Sequence, residues 1–137
     1  MSISNEQLIA DALGLLGVLS EVEGVTAEQG RIGLRALNEL MADWEQDGVN
    51  LEYFEQSSFA DDAPIPDHAI LAVKYYLAMA LAPYFRVTVS PEFTALGGKY
   101  YARLIRDAVK QRMQASDLSH LPFGSGLGGT WDITSGN

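Results

Sequence analysis

The sequence predicts an all-α fold. It reads as four helices, one of them a central hydrophobic helix, with a short extended or hairpin insertion at 48–66 and an extended C-terminal arm. Three observations predict this. The first is Ala69–Phe85, where sixteen of seventeen residues are apolar, alanine, proline or tyrosine and Lys74 carries the only formal charge. A helix apolar on nearly every side is buried on nearly every side. The second is a set of three further segments with apolar residues at three- and four-residue spacing, each opened by a helix-start signal. The third is a change of character after residue 115, from periodic to glycine-rich. The expected organisation is a helical domain over 1–115 and an arm over 116–137.

Each element has its own justification. Ser4-Asn5-Glu6-Gln7 has capping-box spacing, so Gln7 is expected to reach back to the cap. Leu8, Ile9, Ala12, Leu13 and Leu16 then form an amphipathic stripe, which Gly17 ends in a left-handed stop. After a loop at 18–25, Thr26-Ala27-Glu28-Gln29 repeats the box. The second stripe is Leu34, Leu37, Leu40, Met41 and Trp44, with Gly30, Gly33 and Ala36 permitting close backbone approach. Glu28 with Arg31 and Arg35 with Glu39 are spaced to pair on the wet face, and Asp47-Gly48 is the stop. Across 49–66, Val49, Leu51, Tyr53 and Phe59 indicate an extended or hairpin segment with Asn50, Glu52 and Glu55 outward, and Asp61-Asp62-Ala63-Pro64 turns.

Pro66 stands in the first turn of the hydrophobic helix, where a missing N–H is tolerated. A membrane span takes about 20 apolar residues. This run is shorter, has a lysine in its middle and meets Pro83, so a buried helix is expected. Ser90-Pro91-Glu92 combines a serine cap, proline at the first helical position and an acid at the positive end of the helix dipole. That helix should continue through Gln114 on a core face of Phe93, Leu96, Gly97, Tyr100, Leu104 and Ala108, with Ile105 and Val109 as a narrower second strip. Arg103, Arg106, Lys110 and Arg112 gather toward its C-terminal end.

Charge narrows the partners. The formal net charge is −9, and residues 1–65 carry 13 acids against 2 bases while residues 66–137 carry 5 acids against 7 bases. An acidic half repels phosphate and argues against ordinary duplex binding. It suits either solubility or a polar subunit that sets an acidic face against a basic one. The absence of cysteine excludes a disulfide framework and a thiolate metal site. The N-terminus shows no basic region followed by an apolar core and a cleavage site, so no secretion signal is expected.

Catalytic candidates are few. His68 and His120 stand without cysteine or an H-E-x-x-H motif, so no metal and no cofactor are expected. Ser57, Ser58 and Ser125 lack a strand–turn–helix elbow, and the glycine-rich tail lacks the Lys-Ser/Thr pair of a phosphate loop. Glu39, Asp43, Asp47, Glu52 and Glu55 could supply a glycosidase carboxylate pair only with one carboxyl in an apolar pocket and the second about 5–9 Å away. Acids at helical spacing on a wet face are ordinarily solvation. Tyr100 and Tyr101 beside the basic residues suggest base stacking, but they fall on or beside the core stripe. The tail is different: Leu118, Leu121, Phe123, Leu127, Trp131 and Ile133 are spread through a glycine-rich segment. Such anchors point to an arm that orders on a neighbouring surface, because aromatic anchors dominate interfaces.

The order of residues adds a resemblance. Ala12-Leu13-Gly14-Leu15-Leu16-Gly17-Val18-Leu19, Thr26-Ala27-Glu28, Ala36 through Trp44, and Gly48-Val49 follow one another as in a known family. Ile65-Pro66, Ala69-Ile70, Leu77-Ala78, Leu81-Ala82-Pro83-Tyr84 and Val89-Ser90-Pro91 continue the pattern. Over about residues 6–112 the chain resembles the head-to-tail adaptors of short-tailed double-stranded DNA phages, also called tail accessory or packaged-DNA stabilisation proteins. It departs from them in a short insertion between Gly48 and Pro66, where relatives often carry a longer hairpin region. The resemblance implies a non-enzymatic structural subunit of the virion neck, made in the host cytoplasm. It implies a twelve-membered ring of this chain under the portal protein, extending the DNA channel and helping to retain the packaged genome. It further implies a platform for the next tail component (nozzle or tail tube), DNA passing through the lumen without specific binding, and no membrane partner. Two other classes compete: a virion-associated peptidoglycan hydrolase using a carboxylate pair, and a small acidic protein-binding module.

Overall fold

The computed structural model describes residues 2–19 and 24–116. Four helices form: α1 (Asn5–Leu15), α2 (Ala27–Gln46), α3 (Ile70–Leu81) and α4 (Pro91–Ser116). No strand occurs among the described residues. The start signals act as their chemistry requires. Ser4 Oγ accepts from the Gln7 N–H at 3.0 Å and Ser90 Oγ accepts from the Phe93 N–H at 3.1 Å. Thr26 and Gln29 form the full reciprocal box. The Gln7 side chain, expected to reach back to its cap, instead donates to Asp11 Oδ1 one turn ahead. Gly17 and Gly48 both take positive φ, 77° and 92°, so the next N–H can reach back to Leu13 and Trp44 and close α1 and α2.

The hydrophobic segment is the hub, and α1, α2 and α4 all pack on it. It is tightened at both ends, into 3-10 turns at Asp67–Ala69 and Ala82–Phe85. The second turn contains Pro83, which cannot donate to a helical carbonyl, and Arg86 then reverses the chain at φ 58°. Val73, Leu77, Ala78 and Leu81 are fully buried against Leu8, Ile9, Leu13 and Leu37. Lys74 is neutralised by Asp11 of α1 at 2.8 Å, which removes the one charge that opposed burial. The hub is not enclosed all round: Leu71 is exposed, and Tyr75, Tyr76 and Met79 are half-buried.

Close approach of α1 to α2 depends on Gly33. A Cβ built there would lie 2.6 Å from Cγ2 of Ile9, whose side chain is fully buried and cannot retreat. On the other side, Trp44, Tyr76 and Tyr101 form a three-ring cluster with centroids 4.9–5.6 Å apart, and Tyr75 lies between Phe93 and Tyr100. Such pairs contribute about 0.5–1.5 kcal/mol each beyond area burial.

Residues 50–66 are extended but do not form a hairpin. They make a strap across the N-terminal end of α1 and the middle of α2, touching strand geometry only at an isolated Ser4–Asp62 bridge. With no ladder available, helix groups must satisfy the strap's peptides. Asp61 and Phe59 carbonyls accept from the first N–H groups of α1, on Asn5 and Glu6, at 2.8 and 2.7 Å. Asn38 of α2 meets the Gln56 peptide with both halves of its amide: Nδ2 donates to Gln56 O at 3.0 Å and Oδ1 accepts from Gln56 N–H at 2.9 Å. The buried Gln56 side chain accepts from Asn5 Nδ2 at 2.9 Å and donates to the Phe54 carbonyl. Asn5 Oδ1 is buried without a partner, which limits the net gain.

Three substitutions test this packing. Gly33→Ala should destabilise the protein by about 1–3 kcal/mol through overpacking on Ile9. Gly98→Ala, in open space on α4, should stabilise it by about 0.5–1 kcal/mol. Asn38→Ala should cost about 2–3 kcal/mol by stranding the two peptide groups of Gln56. Urea unfolding midpoints with unchanged slopes provide the measurement.

Candidate interaction surfaces

The described residues hold no cluster of three or more potential metal ligands. His68 is exposed on the 3-10 turn before α3, and His120 lies outside the described residues. Glu39, Asp43, Asp47, Glu52 and Glu55 are all exposed, on α2 and the strap. None therefore sits in the apolar pocket that a carboxylate pair of that kind would need. Ser58 is occupied in structure: its Oγ accepts from Ala60 N–H and its carbonyl from Asn5. No described helix is long and apolar enough to cross a membrane. The six arm residues Leu118, Leu121, Phe123, Leu127, Trp131 and Ile133 lie outside the described residues.

What the structure does bring together are surfaces. Glu39, Glu45 and Glu55 rim a groove of about 320 Å³ between α2 and the strap, floored by Met41 and Val49. On the strap Phe54 stands 66 % exposed. Sequence reading passed over Phe54 and Gln56. Asn50, Glu52 and Glu55 face outward as the residue pattern indicates, while Gln56 beside Glu55 turns inward and is buried. The positive φ of Glu52, 59°, belongs to the same irregular stretch. Asn38 was also missed, although its signal is present: it is an asparagine on an apolar stripe between Leu37 and Met41.

The tyrosines flagged beside the basic residues of α4 serve the core. Tyr100 packs on Tyr75 and carries Arg103 over its ring at 5.6 Å. Tyr101 packs on Trp44 and donates its hydroxyl to Asp47 at 2.9 Å, tying α4 to the end of α2. Burial, then the Asp47 hydrogen bond and the neighbouring charges, push the Tyr101 phenol up to about 12. Tyr53, donating to Asn38, is raised as well, by burial first and then by the Glu55 charge. Both folded-state values lie above the ordinary tyrosine value of about 10, so the stability they contribute is full below pH 10 and is lost as pH rises above it. The unfolding midpoint should therefore fall between pH 10 and 12. Tyr101→Phe should make that fall shallower, as followed by circular dichroism.

The family comparison covers nearly the whole molecule. The chain matches the family model described as P22 tail accessory factor over residues 3–132. That match runs past residue 112, where the resemblance visible in the residues ended, and takes in the tail through Trp131. No curated protein matches the chain. A match from residue 3 to residue 132, with four helices among the described residues, leaves one conclusion: the chain belongs to the P22 tail accessory factor family, the structural adaptors between head and tail of phage virions.

Proposed function

We propose that twelve copies of this chain form a ring beneath the portal, extend the DNA channel, help to retain the packaged genome and dock the next tail component. Family membership over residues 3–132 is the observation that carries this reading. Two features support it. Acids such as Asp43 of α2 and Glu52 of the strap are solvent-facing, and a carboxylate-lined wall repels phosphate, so DNA slides past without sticking. The segment 116–137, with Trp131 and Phe123 as its largest anchors, is the arm that would order on portal or on a neighbouring subunit. In this reading the adaptor domain is 1–115, and the function is assembly rather than chemistry.

Native mass measurement of the purified chain with and without its cognate portal tests the ring. Twelve copies per portal ring are expected in the complex; a chain that stays single beside portal would overturn the reading. Deletion of residues 116–137 should weaken capture on immobilised portal at least tenfold, and undiminished capture would remove the arm from the function.

A further inference from the structure

Past Leu104 the fourth helix runs out of core. Leu104 is 4 % exposed, Ile105 is half-buried, Val109 is 42 % exposed and Met113 is 64 % exposed. Ile105, Val109 and Met113 are four residues apart and so lie along one ridge of α4. Single exposed apolar residues are ordinary on a protein surface. Here they stand in register on the outer side of α4, with the exposed cations Arg106 and Lys110 in the adjacent row.

The groove between α2 and the strap has the opposite character. Its floor is Met41 and Val49, both buried, and Glu45 and Glu55 on its rim make no ion pair among the described residues. Glu39, also on the rim, is only in loose contact with Arg35 at 3.5 Å. Such a groove repels nucleic acid and acidic peptides and accepts an apolar ridge flanked by cations. The chain itself carries that ridge, and within one copy it leaves Val109 and Met113 of the ridge exposed and the groove open.

We infer that the α4 ridge of one copy, Ile105–Val109–Met113 with Arg106 and Lys110, seats in the α2–strap groove of the next copy. This rests on the ring reading above and names the two faces that would build the ring. Ridge and groove are different surfaces, so the contact is heterologous and repeats head to tail until rotation closes it. The opposite charges fix its direction and disfavour ridge-on-ridge and groove-on-groove pairing.

The chain has no cysteine, so paired cysteines report the contact cleanly. Chains carrying both Met113→Cys and Ala42→Cys, assembled on portal and treated with a short bis-maleimide, should give a ladder of covalent oligomers. Either substitution alone should give none. Arg106→Glu with Lys110→Glu should lower the assembled fraction at least tenfold at unchanged helical content. Mixing that chain with one bearing Glu45→Lys and Glu55→Lys should restore mixed assemblies. Full rings by mass with neither ladder nor rescue would overturn this contact while leaving the ring reading intact. Absence of rings in the unmodified chain with portal would overturn the ring reading and this contact together. Cross-linked pairs that never extend beyond two copies would overturn the head-to-tail arrangement. The thiol introduced by Met113→Cys should react freely with maleimide in the single copy. A thiol shielded there, and released by deleting 117–137, would give the ridge to the chain's own tail and overturn the contact as well.

Discussion

An extended segment that crosses helices without joining a sheet has no ladder to complete its peptide groups. Whatever holds it must be polar and must reach from helices built around an apolar core. Here that constraint falls on three amides. Asn38 presents a side-chain amide to the Gln56 peptide as a neighbouring strand would, and Gln56 passes the connection to Asn5 at the start of α1. The strap in turn accepts from the first two N–H groups of α1. One network therefore positions the strap, completes a helix end and ties α1 to α2. In a surrounding of low dielectric, leaving any one member unpaired is expensive, and this gives the irregular strap a unique place.

The hub supplies the complementary, non-directional part. Ala72, Val73, Leu77, Ala78 and Leu81 fill the space among three helices, and small residues at Gly33 and Gly97 let backbones or long side chains approach. Lys74 finds Asp11, so the charge in the middle of the hydrophobic segment is compensated within the subunit. The aromatic cluster around Trp44 then connects α2, α3 and α4. Because α4 is 26 residues long and α3 is 12, the fourth helix has more length than the core can cover. Its far end is where an assembly protein has surface to offer.

The charge asymmetry takes a spatial form that neither total charge nor its division by residue number describes. Glu39, Glu45 and Glu55 line the α2–strap groove, Arg106 and Lys110 follow one side of α4, and each set borders apolar residues. Exposed ion pairs within the chain, such as Glu28 with Arg31, contribute little to stability. Charges bordering an apolar surface act mainly on which partner fits and in which orientation.

Local signals in the sequence by themselves determined the four helices, their caps and stops, the buried hub and the family pattern. Each depends on residues within a turn or two of one another: Ser4 over Gln7, Thr26 over Gln29, Ser90 over Phe93, glycine at positions 17 and 48. Only the tertiary structure decided the strap. Gln56 turns inward there, and the reason is a contact with Asn38, 18 residues away, and Asn5, 51 residues away. Tertiary structure also decided which apolar residues of α4 are core and which are surface. Ile105 and Val109 share one strip in a periodic sequence, but Ile105 packs against the core while Val109 is 42 % exposed. Periodicity reports which residues share a face; it carries no information about how far a neighbouring helix extends to cover it.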